Sequence, residues 1–581
     1  MQKSPSLNRK LLLSVILAIS TATCRSSSTT SSGTASLAFD VTQVELGEGR
    51  SSQLGLSNTG SVAVGPIRFV STPVLDAQGT QVAGASVSVP SGEIATLDPG
   101  TSRQITAVVT DEALLPGRYT TVLSAVVGSV AMANVTLAFN VASLDQPDVA
   151  SLVITSGPTQ VTQGDLVTYQ AEARNAAGAV VAGTTVSWFL APGVTGLVRA
   201  DGGFVGYEAG VARIVAVAGV FADTIEVTVA ARNLTGQLNL VGLGGLPSGR
   251  GTTDLWLHGT HAYTGTLLVV TNGVAAFGNA LMVWDISDPT APVLTDSVVV
   301  DARRVNDIKI RADGTLAVLT HEDSSDDLNG VTILDLTDPA HPTVISRFTT
   351  GLESGVHNVW IEGDFVYVVV DPPGGDMKVL DISDPANPTL VASFSMPKSF
   401  LHDIYGRDGL LFLSYWDEGL VILDVGHGIR GGTPADPRLV SRVLTAGGQT
   451  HNAWYWPESG YVFIGEEDFA TPGIMHVVDA SDLENPVEVA TFRVPGQPPH
   501  NFWLDEDRGV LYQAWYQNGI RVLDVTGGLA GELERQGREI MFSLYEGAQP
   551  GPTRSWAPQL HEGMLYVSDI SSGLVVLQPQ F

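Results

Sequence analysis

Short apolar runs separated by turn residues fill this chain, and beyond residue 250 one of them keeps returning. It reads Leu281-Met282-Val283-Trp284-Asp285, then Val331-Thr332-Ile333-Leu334-Asp335, then Met377-Lys378-Val379-Leu380-Asp381. Leu420-Val421-Ile422-Leu423-Asp424, Met475-His476-Val477-Val478-Asp479 and Ile520-Arg521-Val522-Leu523-Asp524 follow, and Leu574-Val575-Val576-Leu577 is a degenerate last copy. The shared Asp recurs at steps of 50, 46, 43, 55 and 45 residues, which denotes a repeat architecture. An apolar run of four or five residues rich in Val, Ile and Leu reads as a buried strand. The Asp ends it, often with Ser-Asp-Pro or Thr-Asp-Pro behind, because Asp bonds its own downstream backbone and Pro brings no N–H to a ladder.

Each unit holds three further strand-like runs; in the third they cover 356–361, 365–370 and 389–394. Four strands in a unit of this length is the pattern of a β-propeller blade. Innermost strands are expected to begin near Thr253, Val305, Val356, Leu401, Thr450, Pro499 and Trp556, giving seven blades. Only residues 578–581 follow Leu577, so the last blade lacks an outer strand. The run Leu238-Asn239-Leu240-Val241, which precedes the first blade, matches the outer-strand runs at 389–393 and 486–490. It is expected to complete the last blade, covering a sheet edge that would otherwise stay open.

Upstream the pattern changes to looser alternation. Residues 35–143 carry about seven short alternating runs between Gly, Pro and Asn turns, as in an immunoglobulin-like β-sandwich. Residues 147–232 repeat that style, with Trp188 at an expected core position. Neither segment contains a His or a cluster of catalytic residue types, so both read as spacers. The expected fold class is all-β: two immunoglobulin-like β-sandwiches followed by a seven-bladed β-propeller over 236–581.

The repeated Leu/Val-x-Ile/Val-Leu/Val-Asp-Ile-Ser-Asp-Pro run resembles the LVIVD repeat of bacterial and archaeal surface proteins of the choice-of-anchor type. The resemblance covers roughly 236–581 and implies a propeller fold and a surface location more than a chemistry. Residues 147–232 resemble the bacterial Ig-like group 2 domains, which implies a stalk.

Composition narrows the function classes. Charged residues make up only 15% of the chain and Gly numbers 63 of 581, as suits a turn-rich β-protein. A net charge of −30 argues against nucleic acid as a partner, since phosphates would be repelled. Residues 1–23 read as a secretory signal: Lys3, Arg9 and Lys10 precede an apolar core too short to span a bilayer. Thr21-Ala22-Thr23-Cys24 resembles a lipobox with Thr23 where Gly or Ala is usual, which implies a lipid anchor on Cys24. Residues 24–34 form a Ser/Thr-rich tether. Cys24 is the one Cys in the sequence, so no intrachain disulfide forms.

Candidate chemistry is concentrated in the repeats, where all eleven His lie. Four stand at the same place in consecutive units, at the start of the innermost strand: His357-Asn358, His402-Asp403, His451-Asn452 and His500-Asn501. The second unit has Asn306-Asp307 there and the first has Thr253-Asp254. In a propeller these starts converge on one rim. Four imidazoles there suit a divalent transition metal such as Zn or Cu, with Asn306 and Asp403 as further binding residues. The plainer reading is structural: these side chains bond the neighbouring blade, and the arc is too open to share one ion. Strand alternation is expected to send His and its Asn/Asp neighbour to opposite faces, the amide fixing the turn and the His facing the channel.

Weaker candidates are the acidic loop 321–327, which could bind Ca²⁺ but reads first as a solvated insertion, and Glu466-Glu467-Asp468, read the same way. Trp416, Trp454, Trp456, Trp503, Trp515 and Trp556 could form a carbohydrate platform but more often would be core. No Walker loop, nucleophile elbow or His-Glu-x-x-His motif is present. Two functions follow: an exported, lipid-anchored display module that binds a protein or glycan at the cell surface, or a metal-dependent enzyme with a His cluster on the propeller axis.

Overall fold

In the computed structural model, the described residues are 34–581 apart from 47–50, 77–80, 83–84, 91, 112–116, 129, 142–148, 192–193, 220, 248–249, 269, 272–273, 276–277, 374, 398–399, 446–447, 471–472 and 546–551. The expected signal segment and Cys24 lie outside the described residues, as does most of the tether. Strands make up nearly all the regular structure; among the described residues no helix is long and apolar enough to cross a membrane.

From residue 250 onward the chain lays down successive antiparallel meanders of four strands. They cover 250–299, 308–348, 356–394, 401–443, 450–492 and 502–543. A seventh sheet combines 555–580 with the strand Gln237–Gly244, whose Leu240 pairs with Leu577. The first strands of the seven sheets touch one another in a closed series, the strand Ser555–His561 meeting Arg250–His258. Sheets stacked face to face around an axis in this way make a β-propeller.

The hydrophobic pattern follows from that packing. Middle strands are covered on both faces by neighbouring sheets, so Leu410–Tyr415 and Gly419–Asp424 are buried at every residue. This is why they read as unbroken apolar runs rather than alternating ones. Outer strands such as Thr343–Phe348 meet solvent and carry mixed residues. The shared Asp makes the expected turn: the Asp285, Asp335, Asp381 and Asp479 carboxylates each accept the backbone N–H two residues on, at 2.8–3.0 Å. Asp424 goes further and accepts N–H groups from Gly426, Gly428, Arg430 and Gly432, which hold its carboxyl well below the usual range against the opposing effect of its desolvation.

Upstream, two sheets share one apolar core built on Leu54, Leu56, Ile67, Leu123, Leu137 and Phe139. The following segment has three small sheets around Tyr169, Phe204, Ile214 and Val227, and Trp188 packs half-buried against Tyr169. This segment is bolted to the sixth sheet. Arg232 pairs with Asp165 at 2.8 Å and with Asp524 at 2.6 Å. The buried Arg538 guanidinium donates to Gly164 O at 2.6 Å as well as to Asp524 O, Thr526 O, Gly528 O and Gln536 Oε1. With its donors so occupied, the buried cation is tolerable.

Candidate metal centre on the axis

The inner strands place three of the four His, and Trp556, on one rim by a repeated irregularity, and His500 stands just before its strand. In the third sheet Val356 pairs with Val370 and Asn358 with Val369, so His357 is an extra residue in a β-bulge. The same slip occurs at His402, His451 and Trp556. A bulge re-aims side chains, and here it cancels the strand alternation. His357, His402 and His500 therefore line the same axial cavity as their Asn/Asp neighbours, together with His451, Asp254, Asn306 and Trp556. The expectation that they face opposite ways is corrected by this bulge.

The Asn/Asp layer ties the sheets together, as does Asn306 at the rim place of the second sheet. Asn306 Nδ2 donates to His357 O at 2.8 Å; in the Asn/Asp layer, Asp307 Oδ2 accepts from Val359 N at 2.9 Å and Asn358 Oδ1 accepts from Ile404 N at 3.2 Å. Asn452 Nδ2 donates to His500 O at 3.0 Å, and Asn501 Nδ2 to Asp254 Oδ1 at 2.9 Å. Each bond runs from one sheet to another, the structural role weighed for these residues in the sequence.

The His layer differs. Consecutive ring centroids lie only 4.4, 4.4 and 4.3 Å apart from His357 through His402 and His451 to His500, and the Trp556 ring lies 4.2 Å beyond. Neighbouring rings are thus in contact, but of the four His only His402 and His451 bring ligand atoms within reach of one point among the described residues, with Glu467 as the third member instead of His357 or His500. Its ends are engaged. His357 Nδ1 meets Glu322 Oε1 at 2.9 Å, and Glu322 Oε2 meets Arg304 at 2.9 Å. Burial opposes the proton on His357, but the Glu322 carboxylate outweighs it and raises the imidazole to about 9. At the other end His500 Nδ1 donates to Trp556 O at 2.7 Å; burial lowers this ring to about 4, so it is neutral with its Nε2 lone pair free.

The middle is not engaged. Among the described residues His402 Nδ1 and both ring nitrogens of the buried His451 make no hydrogen bond of normal geometry; the Asn452 side chain beside His451 and the His451 backbone beside His402 favour a proton less than burial opposes it. Burial first, then the neighbouring imidazoles, hold both rings well below the usual His range, which leaves them neutral. Facing them is Glu467, with Oε2 at 3.7 Å from His451 Nε2 and Oε1 accepting from the Tyr516 hydroxyl. Burial lifts the Glu467 carboxyl to about 7. One ligand atom from each of His402, His451 and Glu467 lies within 4.8 Å of the others. Two neutral imidazoles and a carboxylate suit a borderline divalent ion such as Zn²⁺. Tyr516, which holds Glu467, sits at φ 47°, an uncommon conformation for a bulky residue.

Three members of this site were not legible as such. Glu467 stood in an acidic cluster read as solvated, yet Glu466, Glu467 and Asp468 are all buried. Glu322 belongs to the 321–327 loop, which splits: His321, Glu322 and Ser324 turn inward while Asp323, Asp326 and Asp327 are exposed. Tyr516 carried no signal beyond its place in the repeat. Of the Trp residues, Trp456 and Trp515 are core, Trp416 packs on His402 at 5.2 Å, and Trp454 and Trp503 line the lower axis.

The LVIVD repeat family model matches residues 249–300, 325–350 and 355–395. The chain carries LVIVD repeats. The match falls on the first three sheets of the propeller; the later LVIVD-like runs occupy the same third-strand place. Among solved structures the chain is similar to the β-propeller domain of Cps50 (Swd1) from Myceliophteria thermophila, at 11% identity and a TM-score of 0.40, over 59% of this chain and 99% of that one. No curated protein matches the chain.

Proposed function

We propose that this LVIVD-repeat protein is an exported, envelope-held binding module whose propeller axis binds one divalent transition-metal ion through His402, His451 and Glu467. The observation that carries the metal is the buried His451, which makes no hydrogen bond of normal geometry through either ring nitrogen and faces a second His and a buried carboxylate. A bound ion would use the lone pairs that the protein leaves free, and would supply Lewis acidity to any group brought beside it.

In this reading residues 236–581 are one seven-bladed ring closed by the strand before its first blade. The closed series of first strands supports that count. Residues 35–143 and 147–232 are two Ig-like sandwiches that carry the disc away from a lipid on Cys24, where it meets a protein or glycan of the cell surface. The signal-like start and the tether support export. Cys24→Ser should move the protein out of the membrane fraction; wild-type protein found free in the medium would count against the anchor.

One observation favours a second reading, a metal-dependent enzyme. The His357 imidazolium, held by Glu322, stands with its ring centroid 4.4 Å from that of His402 and offers a proton beside the metal ligands. Titration of chelator-treated protein with Zn²⁺ tests the metal itself: one equivalent should bind, and the paired His402→Ala and His451→Ala substitution should abolish it. Unchanged binding in that variant would place the metal elsewhere and remove the proposal.

A further inference from the structure

We infer that the other end of the axis is a second binding site, one that takes the ammonium group of an organic cation. Three residues beyond each of the four His, and beyond Thr253 in the first sheet, the inner strands carry Trp360, Tyr405, Trp454, Trp503 and Trp256. Their rings form a continuous wall: centroids are 6.1 Å apart from Trp256 to Trp360, then 4.9, 5.1 and 5.1 Å on to Trp503. Gly406 makes room for this wall, since a Cβ there would lie 2.4 Å from Trp360 Nε1. Most of these rings are only half-buried and face one cavity.

The cavity already holds one ammonium. In the second sheet the wall position is Lys309, whose Nζ lies 5.2 Å from the Trp256 ring and pairs with Asp254 and Asp307. Asp254 is the carboxylate that answers Lys309, since burial pushes the Asp307 carboxyl well up; Asp403 lines the same cavity and makes no ion pair of its own among the described residues. Aromatic faces beside an unpaired carboxyl group suit a weakly hydrated cation, because the ring quadrupole and a carboxylate act in the same direction. A neutral sugar finds less here: the amides of Asn452 and Asn501 and the oxygen of Asn358 already bond other parts of the ring.

The test uses the whole protein, with tryptophan fluorescence as readout and ionic strength held constant. Choline should give a saturable change, and 3,3-dimethylbutan-1-ol, its uncharged isostere, should bind about tenfold more weakly. Asp403→Asn should weaken choline by roughly three- to thirtyfold without lowering the melting temperature. Trp454→Leu should do the same, and His402→Ala with His451→Ala should leave choline binding intact, which separates this site from the metal. Equal binding of choline and the alcohol, saturation by glucose instead, or no saturable change with choline would each overturn the proposal.

Discussion

The two halves of the ring use one backbone position in different ways. In the first, second and seventh sheets the rim residue is Thr253, Asn306 or Trp556, and each takes part in a hydrogen bond to a neighbouring sheet. Thr253 Oγ1 donates to Val305 O at 2.6 Å, Asn306 donates to His357 O, and Trp556 O accepts from His500. In the fourth and fifth sheets the residue is His, and the ring nitrogens named above make no hydrogen bond of normal geometry. Buried donors and acceptors are normally paired; unpaired atoms also occur at Asn306 Oδ1 and His321 Nδ1, so what sets the fourth and fifth sheets apart is that their two His stand with Glu467.

Removing the common frame should have the largest effect. Deleting residues 237–244 strips the strand that pairs with Gly573–Gln580 and opens the ring, so both halves lose their axis. Melting should fall by roughly ten degrees or more; unchanged melting would show that the strand does not close the ring. Next comes the contrast itself. His402→Ala with His451→Ala should lower Zn²⁺ affinity by about a hundredfold or more with little change in melting. Thr253→Ala with Asn306→Ala should do the reverse, lowering stability by about 1 kcal/mol for each lost bond and leaving metal affinity alone.

A third His sharpens the distinction by pH. His321 is fully buried in the second sheet, its Nε2 bonded to Thr332 Oγ1, and burial lowers it to about 4. It is neutral in the folded chain and takes a proton on unfolding below about 6.5. Its contribution is therefore complete above that pH and is lost as pH falls toward 4, by roughly 3 kcal/mol at most. His321→Gln should flatten the stability profile in that window and leave metal binding untouched; an unaltered profile would mean that this His does not titrate on unfolding. The smallest effect is expected from Tyr516→Phe, which frees Glu467 and should lower Zn²⁺ affinity by about tenfold.

Much of the frame was legible because it obeys local rules. The buried middle strands announce themselves as apolar runs, and the Asp that ends them makes the turn its chemistry suggests. The strand at 356–361 runs one residue further, to Glu362. The four His could be placed on one rim by their period alone. What could not be read was the bulge, since one extra residue against the partner strand leaves no mark in composition yet turns His and Asn to the same side. Nor was Glu467 legible: it is brought to His451 by ring geometry, and an acidic triplet in a loop looks solvated whether or not the fold buries it.

The most direct measurement is the elemental content of the full-length protein as purified without chelator. About one equivalent of a divalent transition metal per chain is expected, falling to background in Glu467→Gln and in the paired His402→Ala and His451→Ala variant, while both variants melt like metal-stripped wild type. No metal in the wild type, with a large drop in melting for the paired variant, would make the His arc part of the scaffold and contradict the metal centre.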